Sequence, residues 1–150
     1  MRNLLNDIEI ANVSAPVAAG SAIDQNTSII DMQNFEGCIF IAPVTDSVAA
    51  GVATLAIEQN DVESDVGMKA LMEAEAMLTS VVDDDLNDKF IVIDIYKPKK
   101  RYIQGVLTST NANIAFGNVT AIKYSGRKSP VIQSDSVQVS KVLASPEEVV

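Results

Sequence analysis

The sequence contains no histidine, no tryptophan and a single cysteine, Cys38, and its 11 lysines and arginines are outnumbered by 20 aspartates and glutamates. Without histidine the chain lacks the commonest general base and metal ligand near neutral pH. One cysteine cannot build an intrachain disulfide framework or a thiolate zinc site, and nothing points to an oxidising compartment. A formal charge of -9 argues against nucleic acid as the main partner, because phosphate binding needs cations clustered across a face. No stretch approaches the roughly 20 consecutive apolar residues that cross a bilayer. The opening Met1–Asp7 is broken by polar residues before any apolar run develops. Neither a membrane partner nor a secretory signal is expected, and synthesis in a cytoplasm is.

Motifs that carry chemistry are missing too. There is no GxSxG, GxGxxG, Walker loop or HExxH, and the one thiol has no histidine to activate it. The acids cluster in polar loops, where both members of a carboxylate pair stay ionised. The expectation is therefore no enzyme, no catalytic residue and no cofactor. Asp83, Asp85 and Asn87 begin a D-x-D-x-N calcium pattern, but Asp88 stands where a loop glycine is needed and Asp94 where a bidentate Glu is needed. A solvated acidic loop is expected there, and no metal ligand is assigned.

What the chain does have is 150 residues, 47% of them apolar, enough for one packed domain over 1–150. Residues 1–7 are set apart as an N-terminal arm and 144–150 as a C-terminal tail. The periodicity is mostly that of strands. Ile8–Val13 alternates. Phe35–Ala42 is a short apolar run closed by Pro43, the mark of a buried central strand. Val52–Gln59 alternates with Ala53, Leu55 and Ile57 on one side, and these two runs suggest an antiparallel pair. Lys89–Tyr96 (KFIVIDIY) is the clearest strand. It leads through the basic turn at residues 97–101 to Arg101–Ser109, read as its hairpin partner, with Gly105 a bulge or close-contact point. Ile114–Phe116, Val119–Tyr124 and Ser136–Leu143 complete about eight short strands. The spacing predicts a mainly β fold, an antiparallel β-sandwich or jelly-roll-like barrel with at most one short helix. Residues 68–81 are the exception. Ala70, Leu71, Ala74, Met77, Leu78 and Val81 form an amphipathic helical stripe in strong helix formers.

Charge is uneven along the chain. Residues 1–88 carry -14 and residues 89–150 carry +5. Two readings stand: neutralisation between neighbouring strands of one molecule, or a dipolar surface suited to a charged partner or a second copy. The turn Lys97-Pro98-Lys99-Lys100-Arg101, flanked by Tyr96 and Tyr102, is the one concentration of positive charge. It is either a strand tip whose lysines discourage edge pairing or a contact for an acidic neighbour, such as another copy's Asp83–Asp88 loop.

The segments MRNLLNDIEIANVSAPVA, DDDLNDKFIVIDIYKPKKRYIQGVLTST, NIAFGNVTAIKYSGRKSPV and VLASPEEVV together resemble a family of small proteins of tailed bacteriophages, encoded beside the major capsid protein. These are the head decoration, cement or minor capsid proteins. The K-P-x-K-R-Y turn and the closing S-P-E segment are the most distinctive pieces. The resemblance implies a β-sandwich or barrel on the outer surface of the expanded head, often trimeric, whose partners are the major capsid protein and further copies of itself. It implies no active site. Relatives of this type carry strand-and-loop sequence where this chain has Met68–Val81, so a short helix or an irregular strand remains open there. The expected contact residues are Leu4 and Leu5 in the arm, Lys97, Pro98, Lys99, Lys100 and Arg101 in the turn, and Arg127 and Lys128. The alternatives are a tail or baseplate β-module of the same virus and a carbohydrate-binding β-sandwich, the latter short of the aromatic platforms such sites use.

Overall fold

A computed structural model describes residues 3–144 and 148–149. The chain forms a 3-10 turn at Leu4–Asn6 and eleven strands: β1 (Glu9–Ser14), β2 (Val17–Gly20), β3 (Asp24–Asn26), β4 (Ile30–Asp31), β5 (Gly37–Ser47), β6 (Val52–Asn60), β7 (Lys69–Thr79), β8 (Lys89–Tyr96), β9 (Tyr102–Thr110), β10 (Ile114–Phe116) and β11 (Val119–Tyr124). They make two antiparallel sheets stacked in a sandwich-like arrangement, one of them curled toward a half-barrel. The first sheet runs β1-β11-β5-β10-β2 with β8 on the other side of β5. The second runs β3-β9-β6-β7, with β4 also on β9.

β5 organises the first sheet. Along one edge it pairs β11 over Gly37–Ile41 and β10 over Val44–Ser47; along the other it pairs β8 from Gly37 to Val44. The sequence reading ends this strand at Pro43, yet the strand continues through it. The reason is position: on the β11/β10 side the register changes partner between Ile41 and Val44, so no ladder bond is lost at Pro43. Even-numbered residues Cys38, Phe40, Ala42 and Val44 point inward and are fully buried, facing Leu55, Ile57, Ile103 and Leu107 of the second sheet. Gly105 keeps the two sheets close. A Cβ there would lie 3.3 Å from Leu55 Cδ1 and 3.4 Å from Phe40 Cδ1, and β9 pairs β6 across it without a register shift. It is a close-contact point and makes no bulge.

Two pairings differ from the sequence reading. β5 and β6 lie in different sheets, and β8 and β9 do as well, so residues 97–101 form a corner between sheets and not a hairpin tip. Each run carries the β signal of its own sheet, and alternation alone does not say which strand is its neighbour. Ser136–Leu143 is not a strand. Instead, the segment just before and into it lies along the free edge of β1. Gln133 Oε1 accepts the Ile10 N–H (3.0 Å), Gln133 Nε2 donates to Ile8 O (2.7 Å), Ser134 Oγ to Ile10 O (2.6 Å), and Ser136 Oγ accepts the Asn12 N–H (3.0 Å). Side chains do here what a paired backbone would otherwise do.

Met68–Val81 holds no helix. β7 pairs β6 with Ala56 opposite Glu75 and Glu58 opposite Ala70, so Leu71–Ala74 bulges out, with Glu73 at φ 61°. The bulge explains the misleading stripe: it spaces the inward-packed Leu71 and Ala74 three apart before the strand period resumes with Ala76 and Leu78.

Phe40→Ala is expected to cost about 3–5 kcal/mol from the cavity left between the sheets, and Gly105→Val about 1–3 kcal/mol from overpacking at the same contact. Urea unfolding curves of the two variants check both values.

Candidate functional site

The corner that joins the sheets is rich in cations because it carries the chain's basic run out of β8 and into β9. Its backbone is fixed at both ends. The Lys97 N–H donates to Glu36 O (2.6 Å), with Lys97 at φ 51°, and Arg101 O accepts the Met32 N–H (2.8 Å). Arg101 is held by a fork: Nε to Asp31 Oδ1 (2.9 Å), Nη2 to Asp31 Oδ2 (2.8 Å), with Nη2 also reaching Gln33 Oε1 (2.7 Å). This hydrogen-bonded pairing holds the Asp31 carboxyl below its ordinary range, opposed in smaller measure by partial burial. Lys100 pairs with Asp61. The Lys97 ammonium lies 5.1 Å from the Tyr96 ring centre.

The loop after β11 brings a fifth cation to this place. The Arg127 N–H donates to Asn34 O (2.8 Å), and Arg127 joins Lys97, Pro98, Lys99, Lys100 and Arg101 around an open cavity of about 470 Å³. The two basic segments singled out in the sequence are therefore one site. Lys128 is not part of it; it lines a separate cleft with Glu9 and Pro130. With Arg101 and Lys100 paired to Asp31 and Asp61, the site retains Lys97, Lys99 and Arg127 against a single lining acid, Glu36.

Leu4 and Leu5 sit on the 3-10 turn, which is tied to the body: Asn6 O accepts the Val131 N–H (2.9 Å) and Leu5 O accepts from Gln133 Nε2 (3.3 Å). Leu4, 72% exposed, borders an apolar groove of about 540 Å³ with Ile8, Ile39, Ile122 and Tyr124. Of the arm and the tail, residues 1–2, 145–147 and 150 lie outside the described residues.

That groove opens onto a larger feature absent from the sequence reading. The register puts Pro43 beside Phe90, Ile41 beside Val92 and Thr120, and Ile39 beside Asp94 and Ile122. The outward face of the first sheet is thus largely apolar, with Phe90 62%, Val92 54% and Tyr96 60% exposed. A signal was present: FIVI in β8 is apolar at consecutive positions, so both faces of the strand had to be. Within this face Tyr124 Oη donates to Asp94 Oδ1 (2.6 Å), and burial, then that bond, pushes the tyrosine hydroxyl up. The ring lies across Gly37, where a Cβ would collide with it.

The calcium-like residues do not converge. Asp83 Oδ1 accepts the Ala49 N–H (2.9 Å); Asp85 accepts from the Ser80 hydroxyl (2.7 Å) and the Val81 N–H (2.8 Å); Asn87 Nδ2 donates to Asp84 Oδ1 (3.2 Å). They hold their own loop. Among the described residues no cluster of three or more His, Cys, Asp or Glu is placed to hold a metal. Cys38 is buried in the core, and burial pushes its thiol up to about 12.

Two outcomes follow for these residues. Cys38 is expected to resist a thiol-labelling reagent in the folded protein and to react stoichiometrically in urea, because neither thiolate nor access is present in the native state. Asp31→Asn is expected to cost up to about 1 kcal/mol at pH 7, discounted because both partners are partly solvated. A lowered carboxyl stabilises above its unfolded pKa and loses that contribution as pH falls through the folded one, so the difference from wild type should close below about pH 4. Urea midpoints at pH 7 and pH 3 measure it. No protein-family model matches this chain, and no curated protein does.

Proposed function

We propose that this protein is a structural component of a tailed-bacteriophage head, a decoration protein that binds the outside of the assembled capsid and bridges neighbouring capsomers. The observation that carries this reading is the exposed apolar face over β8, β5 and β11, bordered by Leu4 and, where β8 ends at Tyr96, by the basic corner. An apolar patch rimmed by charge marks a protein-binding surface. The sequence resemblance supplies the kind of partner, the major capsid protein. The same face speaks against a sugar platform: Phe90 and Tyr96 stand six positions apart on β8, roughly 20 Å at strand spacing, too far to stack on one ring.

The mechanism is multivalent bridging. Each contact is modest, but a homo-oligomer engaging several capsid subunits gains effective concentration. Because the sites lie together only in the assembled shell, binding stabilises that shell by mass action and leaves free subunits alone. No bond is made or broken.

Mixing the purified protein with expanded heads that lack it, and sedimenting them, should give saturable binding near one copy per major capsid subunit. Absence from heads, with the protein found in tails or in neither, would overturn the reading. Phe90→Ser combined with Val92→Ser should weaken binding by about tenfold or more with an unchanged melting temperature, since both side chains are already exposed. Lys97, Lys99 and Arg127 changed together to Ala should weaken binding and flatten its salt dependence. Lys100 and Arg101 are poor choices for that test because they are tied to Asp61 and Asp31.

A further inference from the structure

We propose that the acidic end of β8 in one copy seats in the basic corner of a second copy. The two surfaces sit at opposite ends of one strand. Asp83, Asp84, Asp85 and Asp88 precede β8, and the backbone bonds Asp84 N–H to Ser47 O (2.8 Å) and Asp88 N–H to Val44 O (3.0 Å) fold that loop against the end of β5 that carries the exposed Asp46. Five acids thus gather there against Lys89. The corner with Lys97, Lys99 and Arg127 follows the other end of β8, eight residues on, roughly 26 Å away. At that distance the two groups cannot meet within one molecule.

Ion pairs made within the molecule neutralise part of the charge elsewhere. Lys100–Asp61, Arg101–Asp31 and Lys123–Glu9 (3.1 Å) each join a base from the second part of the chain to an acid from the first. Two concentrations of charge stay outside these pairs: five acids before β8 at one end, and three cations lining a cavity of about 470 Å³ at the other. The acidic loop is also rigid. Asp83 and Asp85 are bonded to backbone N–H groups, while Asp84 and Asp88, at φ 65° and 61°, hold a fixed turn. A preorganised acidic projection and a cationic recess on the same molecule are self-complementary. Two arrangements satisfy the contact. A two-fold pair engages both ends at once; a closed ring gives each end a different neighbour.

The inference does not rest on the capsid reading, and its test needs no capsid. Sedimentation velocity over a range of concentrations and salt should reveal a dimer or ring at low salt that weakens as salt rises. One variant turns the recess acidic, Lys99→Glu with Arg127→Glu. The other neutralises the projection without straining its turn, Asp46→Lys with Asp84→Asn and Asp88→Asn, since asparagine tolerates the left-handed backbone. Each alone should raise the dissociation constant tenfold or more. Mixed in equal amounts they should associate again, because the unaltered recess of one meets the unaltered loop of the other, while the acidified recess meets a projection whose remaining acids, Asp83 and Asp85, are balanced by Lys89 and the charge that Asp46→Lys introduces. A circular-dichroism melt confirms that each variant is folded; should the triple variant not fold, Asp46→Lys alone, which halves the projection's net charge, should weaken self-association less and still re-associate with the acidified recess through its own unaltered recess. A monomer at every concentration and salt would overturn the inference. So would an association that the variants leave unchanged, or one that mixing fails to restore.

Discussion

Alternation along β5 is the constraint from which the rest follows. This strand pairs on both edges, and its side chains must serve two surfaces: Cys38, Phe40, Ala42 and Val44 fill the space between the sheets, while Ile39, Ile41 and Pro43 build the outward face. A slip of one residue would exchange the two sets and leave the core with the wrong shapes. β8, β10 and β11 all take their register from it. The apolar outer face is therefore set by the same residues that set the core.

The charge pattern has a similar double character. Each ion pair across the two parts of the chain helps fix a corner or an edge, as Arg101 and Asp31 do where β9 begins beside β4. Such pairs are worth little one by one when solvated. Their larger effect is selective: they take up Lys100, Arg101 and Lys123 and leave the acids before β8 and the cations after it outside these pairs.

The fold class was legible because most strands here carry a period-two or fully apolar signature, and the inward set Ala53, Leu55 and Ile57 was readable by position. Partners were not. β5 and β6, or β8 and β9, look like hairpins until a corner sends the chain into the other sheet, and a basic corner and a basic hairpin tip have the same composition. The bulge at Leu71–Ala74 shows how three extra residues in a strand counterfeit a helical stripe. Ser136–Leu143 has the composition of a strand but forms none; the edge of β1 is met by the side chains of Gln133, Ser134 and Ser136. Of the site, the basic residues were visible as a cluster at 97–101; that Arg127 joins them and Lys128 turns away depends on a loop conformation no periodicity encodes. The apolar face needed the register of three strands at once.

The strap along β1 bears on when the molecule can be finished. β1 precedes every other strand, yet its partner β11 is the last of them, and the side chains that close its outer edge come later still, 123 to 125 residues away in sequence. During synthesis β1 waits with both edges open. The outer edge of β1 cannot be closed until the segment around Gln133–Ser136 has left the ribosome. A chain still short of that point holds β1 by β11 alone, so the last edge of the first sheet is sealed only after all of its strands have been made.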